Sequence, residues 1–274
     1  MKEQLAFEGC GVTIEELTAQ AILTLQTFEP EDRPYWGCFS GGKDSIVIKE
    51  IARLAGVNVR WYYNQTTIDP PELIYYMREH HPDVEWIRAE TNFFTKMISK
   101  GFPTRRTRWC CEVYKETKNP PGETLILGVR AAESPRRRAT WKTVTYHTRT
   151  KTNAIAPVVA WTDDDVWSFI RAQDLPYCSL YDEGFHRLGC IGCPMASAAG
   201  RKKEFARWPG YERAWKRAFR LIWEKRAGKK QRDGREWFGS ARFDDWEGIW
   251  KWWLNDDPLP GEKDECQGML DLWS

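Results

Sequence analysis

Ser40-Gly41-Gly42-Lys43-Asp44-Ser45 places two glycines, a lysine and two hydroxyls within six residues. Gly41 and Gly42 let the backbone fold tightly enough for successive N–H groups to point at one anion. Lys43 can neutralise phosphate oxygens, and Ser40 and Ser45 can donate hydroxyl hydrogen bonds to them. The Gly-x-x-x-x-Gly-Lys spacing of a Walker A loop is absent. An ordinary glycine turn would account for the glycines but not for the serines and lysine around them.

Cysteine supplies the second chemistry. Cys110-Cys111 is a vicinal pair, and Cys190-Ile191-Gly192-Cys193 follows about eighty positions later. A C-x-x-C alone could be a redox pair, half a zinc site or neither. With the vicinal pair, four thiolates become available, enough for a [4Fe–4S] cluster or a tetrahedral zinc. Gly189 and Gly192 permit a sharp turn with amides facing the sulfurs. Unliganded buried cysteines are the plain alternative. Cys10 and Cys38 read as core residues, and Cys178 as a structural thiol.

The elements that must position these groups alternate. Helices are expected over Thr13–Gln26, Asp44–Leu54, Pro71–His80, Asn92–Ser99 and Thr162–Ala172, and strands over Tyr35–Phe39, Val57–Tyr63, Val84–Arg88 and Thr124–Val129. Trp141–His147 and Ala154–Val159 read as further strands. Thr13 and Glu16 form a capping pattern ahead of Leu17, Ala21 and Leu25 at helical spacing. Strand–helix alternation implies right-handed crossovers and an α/β fold, a mostly parallel twisted sheet with helices on both faces. The glycine loop then falls between the first strand and its helix, where the helix adds its positive dipole end. Residues 1–195 read as a nucleotide-binding domain, and 196–274 as a helical, basic, Trp-rich region with an acidic tail.

Phe39 to Ser45 resembles the PP-loop of ATP pyrophosphatases, which split ATP into AMP and pyrophosphate. The resemblance implies that Ser40, Gly41, Gly42, Lys43 and Ser45 hold pyrophosphate or an equivalent anion, and that Asp44 orients the loop or helps with magnesium. Further motifs follow in order: Gly128, Arg130, Glu133, Ser134, Arg136 and Arg137; then Pro157-Val158, Trp161-Thr162 and Asp165-Val166-Trp167; then Leu175-Pro176 and Gly189-Cys190-Ile191-Gly192-Cys193-Pro194. Together they resemble the phosphoadenosine phosphosulfate reductase family over roughly residues 35–200. The resemblance implies a Rossmann-like PP-loop fold and an adenine nucleotide, with Arg130 and Arg137 facing its phosphate or sulfate. In cluster-bearing members, the adenylyl sulfate reductases, paired cysteines hold a [4Fe–4S] cluster, which maps onto Cys110, Cys111, Cys190 and Cys193. Two features depart from the reductases. The phosphate loop is intact here, and the family's C-terminal Glu-Cys-Gly-Leu-His is replaced by Glu265-Cys266-Gln267-Gly268-Met269-Leu270. Cys266 is a candidate nucleophile, or else an incidental tail cysteine.

The net charge of +2 conceals segregation: residues 100–151 carry +9, residues 201–235 carry +10, and residues 236–274 carry −7. Such blocks suggest a basic surface for phosphates, including a nucleic-acid backbone, or solvated helix faces over core indoles. No run of 18 apolar residues exists, and the N-terminus lacks an apolar signal segment, so a cytoplasmic chain is expected. Three functions follow. An ATP pyrophosphatase would adenylate an acceptor for sulfur insertion, with a cysteine desulfurase as sulfur donor. A sulfonucleotide reductase would attack adenylyl sulfate with Cys266 and use thioredoxin. An accessory subunit would bind the nucleotide without turnover. A homodimer is compatible with each.

Overall fold

The computed structural model describes residues 12–116, 119–147, 151–230 and 243–257. Helix α1 (Ile14–Thr27) starts at the capping box, with Thr13 accepting from Glu16 N and Glu16 accepting from Thr13 N. Strand β1 (Tyr35–Cys38) leads directly into α2 (Lys43–Ala55), which ends on a left-handed Gly56. Then come β2 (Val59–Asn64), α3 (Pro71–His80), β3 (Glu85–Ile87) and α4 (Phe93–Lys100), the last capped by the Asn92 side chain. After α5 (Trp109–Tyr114) the chain forms β4 (Thr124–Ile126), α6 (Pro135–Thr140), β5 (Val144–His147) and β6 (Thr152–Ile155). Helix α7 (Asp163–Ala172) is capped by Thr162. Finally α8 (Ala198–Arg207), α9 (Pro209–Arg226) and α10 (Trp246–Asn255) form the helical C-terminal part.

The helical region expected from residue 196 onward opens with two helices, because Pro209 lacks the N–H that would continue α8. The strands expected to reach Val129 and Val159 stop at Ile126 and Ile155. Pro157 cannot donate to a ladder, so the second of these has a chemical end. The vicinal cysteines and Arg136, Arg137 and Arg138, to which the sequence assigned no element, lie on the short helices α5 and α6.

The six strands form one sheet in the order β3-β2-β1-β4-β6-β5. The β1–β2, β1–β4 and β4–β6 pairs are parallel, and the β5–β6 edge pair is antiparallel, with Val144 opposite Ile155. From β1 the chain runs outward through β2 and β3 and then returns to β4 on the other side of β1, so the strand order reverses between β1 and β4. Ligands of open α/β sheets collect at that reversal, outside the carboxyl ends of the strands.

The chain divides into two compact units that interleave along the sequence. The first takes the chain up to Tyr63, Tyr76–Glu85 and Pro120–Ser179. The second takes Asn64–Tyr75, Trp86–Asn119 and the chain from Leu180 onward. In the first, α1, α2 and α7 pack on one another, and Leu25, Val47, Ile48, Ile51, Ile126, Ala154 and Val166 are buried. In the second, α9 packs on α4, α8 and α10 around Trp215, which is fully buried and stacks on Trp253 at 4.7 Å. Among the described residues no helix is long and apolar enough to cross a membrane.

In the first unit His81 is buried beside Lys49 and Tyr76, with Lys49 Nζ 3.2 Å from Nδ1 and the Tyr76 hydroxyl 2.9 Å from Nε2. Burial, reinforced by the Lys49 charge, pushes its pKa down to about 4. The imidazole is therefore neutral when folded, whereas the unfolded chain protonates it near 6.5. Stability is fully present above pH 6.5 and falls as pH drops toward about 4. Urea midpoints at pH 7.5 and 5 should show this loss, and His81→Gln should flatten that part of the profile.

Candidate functional site

Three parallel strands deliver one constellation, all of it in the first unit. The Ser40–Ser45 loop follows β1, Gly128 to Arg130 follow β4, and Asp163 follows β6 at the first position of α7. The loop is braced internally. Ser45 Oγ donates to the Gly42 carbonyl at 2.8 Å and accepts from Ser40 N at 3.2 Å, while Ser40 Oγ accepts from Gly42 N at 3.4 Å. Gly42 is also the N-cap of α2, so Lys43 and Asp44 begin a helix whose amide end faces the loop.

Lys43 and Arg130 are both buried. Arg130 donates from Nε to Asp44 at 2.5 Å and from Nη2 to Asp163 at 2.8 Å, and Lys43 Nζ lies 3.1 Å from the same Asp163 oxygen. Burial opposes the Arg130 charge, but Asp44 and then Asp163 outweigh it and hold the guanidinium pKa above its ordinary value. Burial would raise the Asp163 pKa, yet Lys43 and Arg130 together keep it below the usual carboxylate range. Asp163 was not among the residues that the sequence singled out. In the sequence it is one of three consecutive acids at a helix start, and no motif marks its position beside two cations.

The other loop residues are braces in this structure. Glu133 accepts from Arg130 N at 3.1 Å and pairs with Arg137, while Ser134 caps α6 by accepting from Arg137 N. Arg137 thus meets Glu133, and Arg130 alone of the two meets the loop residues. A Cβ on Gly128 would lie 2.9 Å from the Asp44 carbonyl carbon, and backbone cannot swing aside as a side chain can. Gly128→Ala should therefore cost about 1–3 kcal/mol, read as a lower urea midpoint, and should displace the start of α2. An unchanged midpoint would show that this approach constrains nothing.

The second unit carries the cysteines. Cys110 and Cys111 sit on α5, which Trp109 anchors by stacking on Phe93 and donating from Nε1 to the Gly101 carbonyl at 3.0 Å. The Cys190–Cys193 loop is held at three backbone points. Ile191 N donates to the Ile68 carbonyl at 2.8 Å, the Ile191 carbonyl accepts from Trp215 Nε1 at 3.2 Å, and Gly192 N donates to Glu204 at 2.7 Å. Gly192 has a φ of 75°, and a Cβ there would sit 2.7 Å from Trp215 Nε1. Cys190 Sγ lies 3.4 Å from the Thr66 hydroxyl.

The four thiols feel one another. Hydrogen bonding to Cys111 and burial push Cys110 up, with the Cys111, Cys190 and Cys193 charges adding to the effect. The same bond, with Lys115 and Arg108 nearby, brings Cys111 down to about 6. Burial raises Cys190 to about 11, and the Cys190 charge in turn raises the Lys115 ammonium. All six cysteines described are free thiols, and Cys38 and Cys178 are not part of this set. As they stand, no three His, Cys, Asp or Glu side chains among the described residues are grouped closely enough to hold a metal ion. In metal-free protein at pH 7, iodoacetamide should modify Cys111 well before Cys110, as peptide mapping would show.

The basic 201–235 block is not one surface. Arg201 is buried, donates to the Pro194, Ala196 and Leu254 carbonyls and pairs with Asp256 at 2.7 Å. Arg226 is buried as well, and Trp208, Trp215, Trp250 and Trp253 are core residues rather than an exposed stacking platform. Cys266 lies outside the described residues.

A family model described as the phosphoadenosine phosphosulfate reductase domain matches residues 34–196, more than half of the chain. The chain belongs to this family. An uncharacterised protein of Methanocaldococcus jannaschii is 28% identical over 82% of this chain and 47% of its own length. An adenosine 5′-phosphosulfate reductase of Staphylococcus saprophyticus is 26% identical over 74% of this chain and 88% of its own. The chain thus spans about half the length of the Methanocaldococcus relative. A crystal structure of phosphoadenylyl-sulfate reductase from Candida auris superposes with a TM-score of 0.50 at 13% identity, covering 67% of this chain and 98% of that one. It shows the shared fold, a Rossmann-like PP-loop sheet.

Proposed function

We propose that this family member is a PP-loop ATP pyrophosphatase, which adenylates an acceptor for sulfur transfer. The observation that supports it best is the complete Ser40–Ser45 loop at the strand reversal, with Lys43 and Arg130 drawn together beside it. In this reading an acceptor oxygen attacks the α-phosphorus of ATP. The bond from that phosphorus to the bridging oxygen breaks, and pyrophosphate departs with the oxygen. Ser40, Gly41, Gly42, Lys43 and Ser45 hold the departing anion, and Arg130 stabilises the charge that develops on it. The work is positioning and charge stabilisation by groups already in place. Asp44 would hold magnesium, which arrives with the nucleotide and offsets its phosphate charge. A sulfur nucleophile then displaces AMP. Glu133, Ser134 and Arg137 keep the arginine loop in shape.

Cys110, Cys111, Cys190 and Cys193 fit a [4Fe–4S] cluster in donor chemistry. They are four thiols in one unit, mutually coupled, with the Lys115 cation close enough to offset thiolate charge. When bound, the cluster supplies a thiolate-ligated iron centre for sulfur handling or electron transfer. Exposed Lys202, Arg213 and Arg217 suit the backbone of a nucleic-acid acceptor. A cysteine desulfurase would be the sulfur donor.

A second reading, a sulfonucleotide reductase served by thioredoxin, is favoured by the name and coverage of the Staphylococcus saprophyticus relative and by the Glu265-Cys266 pair. Anaerobic protein given ATP or adenylyl sulfate separates the two by its products. Pyrophosphate and AMP are expected from ATP, Lys43→Ala should abolish them, and Cys266→Ser should leave pyrophosphate release largely intact. Sulfite from adenylyl sulfate that disappears in Cys266→Ser would establish the reductase instead.

A further inference from the structure

Lys43 and Arg130 are almost inaccessible, with side chains 6% and 3% exposed, whereas the Asp163 side chain that touches both is 58% exposed. Asp163 Oδ1 stands 3.1 Å from Lys43 Nζ and 2.8 Å from Arg130 Nη2, so a single oxygen takes a hydrogen bond from each cation. A phosphate oxygen in the same cradle would make those same two bonds. Asp44 pairs with Arg130 on its other side, so each cation of the cradle already faces a carboxylate. Asp163 is not needed to start α7, because Thr162 and Asp165 complete that capping box between themselves.

We propose that Asp163 is an internal plug, a carboxylate that holds the place of a ligand oxygen and must be displaced before Lys43 and Arg130 can take a phosphate. This rests on the phosphate-site reading of the loop. Without a counter-charge the two buried cations would be costly. An exposed carboxylate on a helix terminus supplies that charge and loses little on turning back into water. Exchange is therefore favourable only for a ligand that brings more charge than one carboxylate. A polyphosphate meets that requirement, and a singly charged oxyanion does not.

The test is calorimetric titration of inorganic pyrophosphate, in EDTA at fixed ionic strength, into the unsubstituted protein, Asp163→Asn, Asp163→Ala and Lys43→Ala. Removing the competing charge should tighten pyrophosphate binding about tenfold, equivalent to about 1.4 kcal/mol. Nitrate, a singly charged oxyanion tested the same way, should go from undetectable to measurable. Using two Asp163 substitutions separates charge removal from any carbonyl that the asparagine still offers, and thermal midpoints confirm that each is folded. Equal or weaker pyrophosphate binding in both Asp163 variants, with Lys43→Ala losing it, overturns the plug and leaves the phosphate site standing. No binding in any of the four proteins overturns both.

Discussion

Two cations buried at the end of a parallel sheet can exist there only if something of opposite charge lies against them. In this protein Asp44 and Asp163 do so, and the position of each depends on a different part of the fold. Asp44 is placed by the turn from β1 into α2, and Asp163 by the turn from β6 into α7. Arg130 arrives from the end of β4, between them in the sheet. The ion cluster thus ties three strand ends to one another. Its contribution is better described as specificity than as stability. Desolvating the four groups offsets much of what their attraction provides. Removing one partner, in contrast, leaves a buried charge unmatched.

The cysteine loop of the second unit is held by different means. Among the described residues no ion pair fixes it; the restraints are hydrogen bonds of its own backbone and the close approach of aromatic rings. Trp215 both fills the core and bonds the Ile191 carbonyl, so the packing of the helical part and the shape of the Cys190–Cys193 turn are one constraint. Glu204, raised to about 7 chiefly by burial, accepts the next amide along.

Much of this was legible in the sequence, because it was encoded locally. Thr13 with Glu16 and Thr162 with Asp165 announce helix starts through neighbours three residues apart, and Gly41 and Gly42 mark a tight turn by type alone. The mostly parallel sheet with its helices followed from strand–helix alternation, whereas the order of its strands was not read from the sequence. What escaped was non-local or short. Helices α5 and α6 span six residues each, too few for a periodic pattern to emerge. Asp163 acquires its meaning only from Lys43 and Arg130, which lie 120 and 33 positions away in the chain. Arg201 and Arg226 count as surface charge in any sum over the sequence. Inside the fold they serve carbonyl groups that no sequence window connects to them.

The interleaving of the two units bears on how the protein is made. Cys110 and Cys111 leave the ribosome about eighty residues before Cys190 and Cys193, and the Trp215–Trp253 stack closes about sixty residues later still. Chains emerge at roughly 5–20 residues per second, so the first thiol pair waits several seconds in nascent protein for its partners. Neither unit is a continuous stretch that could fold behind the other as it is synthesised. Any metal centre on these four thiols can be completed only once Cys193 has emerged, on a chain whose early cysteines have already been exposed to the surrounding redox conditions.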